Sequence, residues 1–354
     1  WFPGASAAAY LLSAAAVGGS SLMYYLLFQP NVYQNVILSG AAFVMLALWQ
    51  WLASANTPAD RPGPLLAHLA AGSEEEALQA VRRLLGYLPS KAGDNIPHLP
   101  YAAGDESRSQ LESVIPDDSA MPYDVHDVID AILDEGSAME LQPYYADNIV
   151  TCFGRLGGHS VGVIANQPFS MGGSLDVNAS DKAARFIQFC DAFGIPLINL
   201  VDVPGFLPGA DQEHAGIIRH GAKLLYVYSV AEVPKLTVVL RKAYGGSYLA
   251  MCSKDLRADF VYAWPTAEIA VMGAAGAANV VFRKEIQAAE DPAAARREKI
   301  ELYSQQFATP YMAAARGFVD LVIHPSETRA RLLEALNLLM NKERLTHPRG
   351  NMPL

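Results

Sequence analysis

The chain is short of basic charge. It has 26 Lys and Arg against 36 Asp and Glu, a formal net charge of −10. No basic run with interleaved aromatics occurs either, so nucleic acid is excluded as a partner. Cysteine is scarce: Cys152, Cys190 and Cys252 lie far apart with no paired spacing. They read as reduced core thiols of a cytoplasmic protein and exclude a disulfide frame or a zinc site. Charge of either sign is missing from Trp1–Ala59, which contains no Asp, Glu, Lys, Arg or His. Two apolar runs fill that segment, Ser6–Phe28 and Val32–Ala55, separated by Gln29-Pro30-Asn31. Each is near the ~20 residues a membrane helix needs. Tyr24, Tyr25, Trp49 and Trp51 are suited to interfacial anchoring. Residues 1–59 are therefore read as an apolar α-helical hairpin and a membrane segment. A buried Ala-rich hairpin of a soluble protein is the alternative. The chain starts with Trp1, which reads as a processed terminus or a fragment edge, and no positively charged n-region supports a secretory signal. We read no Gly-x-Ser-x-Gly nucleophile elbow, no P-loop and no His-Glu-x-x-His helix in this chain.

What is present begins after a linker, Thr57-Pro58-Ala59-Asp60-Arg61-Pro62-Gly63-Pro64. At 354 residues the chain has room for roughly two domains of ~150 each. Ser73-Glu-Glu-Glu76 reads as a capping box, opening a helix whose apolar face runs from Ala77 to Leu88. Lys91–Pro122 is polar and is expected to wind over the surface. Tyr123–Leu133 reads as a short helix. From Asn148 onward the pattern becomes α/β. Ile149–Phe153 and Ser160–Ile164 read as strands around a Gly157-Gly158 turn, and Ser180 is expected to cap a helix to about Phe193. Pro196–Val201, Leu236–Leu240, Glu268–Met272 and Phe318–Ile323 read as further strands. Helices separate them, and Thr328–Asn341 reads as the last helix. Strands alternating with helices argue for a sheet covered by helices.

The most informative residues are Ala243-Tyr244-Gly245-Gly246-Ser247-Tyr248. They follow a buried-type strand and open a helix. Small residues there expose bare backbone N–H groups, and the helix dipole favours negative charge at that point. That combination suits an oxyanion hole, although Gly-Gly also serves ordinary turns.

Four blocks give these residues a context. Asn199–Gly209 (NLVDVPGFLPG), Gly216–Lys223 (GIIRHGAK), Arg241–Ser247 (RKAYGGS) and Tyr262–Gly273 (YAWPTAEIAVMG) resemble the carboxyltransferase β subunits of biotin-dependent acyl-CoA carboxylases. Propionyl-CoA carboxylase and methylmalonyl-CoA decarboxylase are the nearest kinds, and the resemblance runs from about Leu66 to Leu354. It implies a crotonase-like (ClpP/crotonase) fold, a superhelix of ββα units. It divides the chain into residues 1–59 as the hairpin, 60–122 as linker and remnant of the family's N-terminal half, and 123–354 as its C-terminal half. It implies carboxyl transfer between carboxybiotin and a propionyl-CoA-like thioester, with this chain as the biotin-side half. Biotin would be carried by a partner domain, with the acyl-CoA as substrate and no metal in this chain. Implied partners are a biotin carboxyl carrier protein, a biotin carboxylase subunit and further copies of the chain, as a dimer of carboxyltransferase halves or a hexamer. The implied place is the cytoplasm, with membrane association added by the hairpin reading. Most of the family's N-terminal half is missing, and its place is taken by Trp1–Ala59. That is read as a truncated or misjoined frame in preference to a fusion. The alternative functions are a catalytically incomplete, membrane-tethered docking module, or a decarboxylase running in reverse.

By match to the family's motif, the N–H groups of Gly246 and Ser247 bind the biotin ureido oxygen, with Gly245 shaping the turn. Gly205 and Phe206 wall the biotin pocket from the Pro204–Gly209 loop. Leu249 stands where propionyl-type relatives often carry Asp, a place linked to acyl size; a plain helix-core role is the other reading. Asp202 is placed for a general base but is expected to brace its loop. Asp211, His214 and His220 are not expected to hold a metal, because a spacing of six puts the two histidines on different helix faces.

Overall fold

The computed structural model describes residues 73–343, apart from 92, 102, 103, 105, 117, 119 and 120. The apolar hairpin expected over 1–59 and the linker after it lie outside the described residues. Among the described residues, no helix is long and apolar enough to cross a membrane.

In chain order the first elements are α1 (Glu74–Tyr87), α2 (Val125–Ile132), β1 (Met139–Leu141), β2 (Ile149–Leu156), β3 (His159–Asn166), α3 (Val177–Phe193) and β4 (Leu197–Val203). Then come α4 (Ala210–Ala215), α5 (Ile217–Val230), β5 (Lys235–Tyr244), α6 (Gly245–Ala250), β6 (Phe260–Ala263) and β7 (Glu268–Ala270). The remainder is α7 (Ala274–Val281), α8 (Arg283–Ala288), α9 (Pro292–Phe307), α10 (Pro310–Ala315), β8 (Leu321–Val322) and α11 (Thr328–Leu339). The strands form one mixed sheet in the order β1-β2-β3-β4-β5-β6-β8, with β7 paired to the far end of β5. The pairs β1–β2 and β2–β3 are antiparallel; every later pair is parallel.

Period-two alternation sends one set of strand residues to each face. Val150, Val163, Leu200 and Val238 join a core with α2 and α11, through Ile129, Leu332 and Leu336. The other face meets α3: a Cβ on Gly162 would lie 2.7 Å from Cys190 Sγ. The sheet is thus buried on both sides, as parallel strands require. Asn199 is buried within it and satisfied, its amide donating to the Leu236 carbonyl while its oxygen accepts from the Tyr228 hydroxyl.

Several boundaries differ from expectation for identifiable reasons. Helix α3 is capped by Asp176, whose carboxylate accepts from Ala179 N–H; Ser180 lies inside, donating back to the Asp176 carbonyl. At α1, Ser73 Oγ does accept the Glu76 N–H, at 3.2 Å. The stretch before α2 is not wholly superficial, because a 3₁₀ turn at Ser109–Ser113 buries Leu111. Strand β6 emerges from a stretch that had read only as a motif.

α1 packs on the sheet rather than standing apart: Arg83 donates to the Gly136 and Ala138 carbonyls, and Tyr87 to the Ser137 carbonyl. Ser90–Asp94 belongs to a separate unit and forms its own turn, Asp94 N–H donating to the Lys91 carbonyl.

Candidate active site

β4 and β5 run side by side, and Val203 pairs with Ala243 near their C-terminal ends. Both strands leave the sheet there. Pro204-Gly205-Phe206 follows one and Tyr244-Gly245-Gly246-Ser247 follows the other, so register alone brings the two motifs together. Such strand ends are where open α/β sheets place ligands.

Tyr244 is extended, Gly245 is left-handed with φ +55°, and the helix begins at once. A Cβ at Gly245 would also come within 2.9 Å of the Val271 carbonyl oxygen. Only glycine meets both demands without strain. At Gly246, by contrast, a Cβ would meet nothing within 4 Å. That residue is exposed, while Ser247 is buried with its Oγ donating to the Tyr244 carbonyl at 2.7 Å. The first N–H groups of a helix have no acceptor within it. No side chain caps α6, and among the described residues no loop carbonyl takes the Gly246 or Ser247 N–H. The Gly246 N–H therefore belongs to an exposed turn residue and the Ser247 N–H to the buried residue after it, an arrangement that suits an oxygen gathering negative charge if it approaches over Gly246.

Gly205 follows the end of β4 and pairs with the loop past β3. Its carbonyl accepts from Leu175 N–H at 3.0 Å, and a Cβ there would also meet open space. Phe206 is half-buried; its ring lies against α5, 3.0 Å from where a Gly221 Cβ would be. Leu249, on α6, is 38% exposed, so it is not a plain core residue.

Asp202 is a brace. Its carboxylate accepts from Arg241 Nε at 3.0 Å and from Lys242 N–H at 3.0 Å, and it is fully buried. Burial raises its carboxyl above the ordinary value, against the pull of Arg241. A third strand-end loop was not foreseen. Gly173, at φ +78°, passes so close to β4 that a Cβ would lie 2.4 Å from the Asp202 carbonyl. Asn166 joins the same corner, accepting the Asp202 N–H and donating to the Gly173 carbonyl. The Gly172-Gly173 pair just past β3 was the available signal.

The Gly-x-Ser-x-Gly spacing does occur, at Gly158-His159-Ser160-Val161-Gly162, contrary to the sequence reading. It makes no nucleophile elbow. Ser160 is fully buried at the start of β3, and its hydroxyl donates to the Pro97 carbonyl. Near that end of the sheet lies a pocket of about 480 Å³, lined in part by Tyr87, Asp134, Arg155 and Arg329. Its cations are engaged: Arg155 with the Gly86 and Gly158 carbonyls, Arg329 with Asp134 and Glu106. Asp211 and His214 are exposed, and His220 Nδ1 instead meets Asp181 at 2.8 Å. Among the described residues, no three His, Cys, Asp or Glu side chains gather as a metal site would need. The three cysteines are free and buried, and burial pushes the Cys252 thiol up to about 12.

Comparison with known proteins decides the family. The carboxyl transferase domain model matches residues 65–352. The chain belongs to the carboxyl transferase domain family. Among its relatives is the methylmalonyl-CoA decarboxylase subunit alpha of Veillonella parvula, 57% identical over 293 residues, covering 82% of this chain and 56% of that one. The methylmalonyl-CoA carboxyltransferase 12S subunit of Propionibacterium freudenreichii subsp. shermanii is 56% identical over 289 residues, covering 81% and 55%. The crystal structure of a transcarboxylase 12S, described as a hexamer with methylmalonyl-CoA and methylmalonic acid bound, superposes with a TM-score of 0.80 at 52% identity, covering 87% of this chain and 61% of that one. The mixed sheet and its helices are thus the crotonase-like fold of carboxyl transferase domains. The chain spans about half the length of the curated relatives it matches.

Proposed function

We propose that this chain forms the biotin-side half of an acyl-CoA carboxyltransferase. The observation that carries the proposal is the pair of N–H groups of Gly246 and Ser247 at the start of α6, which among the described residues have no side-chain cap and no loop carbonyl as acceptor, with open space over Gly246. Carboxybiotin, held on a carrier partner, would supply the carboxyl group. The chain's own part is electrostatic and positional. Gly246 and Ser247 donate to the ureido oxygen, and donors fixed in advance need no reorganisation as charge develops. Gly205 keeps the neighbouring loop low enough for the ring to approach. The Asp202–Arg241 pair holds the ends of β4 and β5 at a fixed spacing. No side-chain nucleophile is required.

The acyl-CoA substrate is of propionyl or methylmalonyl size, supported by the names of the relatives. Those names cover carboxylase, carboxyltransferase and decarboxylase, so the proposal concerns the half-reaction they share. Leu249 would tune acyl preference from the exposed side of α6. In domain terms, 123–354 is the C-terminal half, and 60–122 carries what remains of the N-terminal half. Partners would be a biotin carboxyl carrier protein, a biotin carboxylase subunit and further copies of the chain, working in the cytoplasm.

The test is direct. Purified protein mixed with carboxybiotin and propionyl-CoA should form methylmalonyl-CoA, read by mass spectrometry. Biotin should also bind saturably. Absence of saturable biotin binding would reject the proposal.

A further inference from the structure

β7 is a weakly attached strand. It is three residues long, half-buried throughout, and pairs only with the last residues of β5: Lys242 with Glu268, Ala243 with Ile269, Tyr244 with Ala270. So short a ladder holds little by itself. Side chains supply what the ladder lacks. The Tyr244 hydroxyl donates to Glu268 Oε2. The Tyr244 ring lies over Gly273, where a Cβ would come within 3.0 Å of its Cε2. Tyr244 is also the residue from which the Gly245 turn departs, and its carbonyl holds Ser247 Oγ.

We propose that the Tyr244–Glu268 hydrogen bond is the clamp that sets the Gly245–Gly246 turn, making Glu268 a positioning residue for the biotin-side half-site. This rests on the carboxyltransfer reading above. Gly245 and Gly246 have no side chains with which to anchor themselves, so their placement depends on what holds the flanking residues. The Tyr244 side chain reaches β7 at Glu268 and the N-cap of α7 at Gly273, and the Val271 carbonyl abuts Gly245 from the same segment. Moving β7 would therefore move the floor of the turn. Burial first, and then the Glu268 carboxylate, push the Tyr244 phenol far above its ordinary value, so it remains a hydrogen-bond donor at any working pH. A site loosened by a fraction of an ångström loses much of its preorganisation.

The experiment compares Tyr244→Phe, Glu268→Ala, the double variant and Glu268→Gln. Glutamine keeps an acceptor for the tyrosine hydroxyl. Isotope-labelled protein is titrated with biotin, and the Gly246 and Ser247 amide signals are followed by NMR with and without it. The amide signals should shift in Tyr244→Phe and Glu268→Ala before any biotin is added. Tyr244→Phe and Glu268→Ala should each bind biotin about tenfold more weakly, the scale of one lost charge-assisted hydrogen bond. The double variant should be no worse than either single one, and Glu268→Gln should recover to within about threefold. Unmoved amide signals in both single variants would overturn the clamp, as would losses that add in the double variant. Should the unaltered protein fail to bind biotin, the carboxyltransfer reading fails instead, and the ligand-free amide signals still judge the clamp.

Discussion

Asp202 at the end of β4 and Arg241 near the end of β5 form a buried ion pair at 3.0 Å. Arg241 also donates to the Met121 carbonyl at 2.8 Å and lies over the Tyr123 ring. One pair thus ties both strand ends to the segment entering α2. Replacing Asp202 with Ala strands a buried cation and frees the Lys242 N–H. We expect a loss of about 3–5 kcal/mol, measured by chemical denaturation. A loss below about 1 kcal/mol would show that the pair does not brace the strand ends.

Gly245 and Gly246 should respond oppositely to substitution. Gly245→Ala forces a left-handed alanine against the Val271 carbonyl and should cost about 1–2 kcal/mol in stability. Gly246→Leu has free space and should leave the thermal midpoint nearly unchanged. It fills that space, however, and should weaken biotin binding by about 10²-fold. Calorimetry and a biotin titration on the two variants separate these effects.

His126 gives a pH signature. Its Nε2 lies 3.0 Å from Glu140 and its Nδ1 2.6 Å from Asp124. The bond to Glu140 chiefly, and then that to Asp124, raise it to about 9 against the effect of burial. The folded state therefore binds the proton more tightly than the unfolded one, whose value is near 6.5. The stabilisation is complete below that lower value and disappears as pH climbs toward the upper one. His126→Gln should lower stability at pH ~6 and have little effect at pH ~9.5, as read by urea midpoints. The side chain is 41% exposed, so the effect should be modest and shrink with added salt.

Leu249→Asp should be tolerated structurally, within about 0.5 kcal/mol, because the side chain is already solvent-facing. Competition assays between propionyl-CoA and longer acyl-CoA thioesters should show a changed preference. An unchanged ratio would remove Leu249 from specificity.

Much of the fold is legible locally. The run Leu236–Leu240 announces a buried strand, and Gly157-Gly158 announces the turn between β2 and β3, which is where they stand. The helix α9 carries no buried residue, as its charged composition suggests. Ser180 misled because aspartate and serine both cap helices, and only the Asp176 bond to Ala179 N–H settles which one does. β7 shrank from five residues to three because a strand extends only as far as a partner's hydrogen bonds reach, and β5 ends at Tyr244. The Gly158–Gly162 string shows the converse case: a catalytic spacing whose serine is consumed by a structural bond to Pro97.

The four motif blocks carried the family, and local sequence determined most of the strands, turns and helices, though not β1 or β6, together with the glycine turn that follows β5. The local elements follow from side-chain size, charge and periodicity, which act over a few residues. Tertiary structure decided that Val203 would stand beside Ala243, that Asp202 would face Arg241, and that Tyr244 would reach Glu268. Each joins residues remote in the chain, and parallel register is set by packing across the whole sheet, not by local preference.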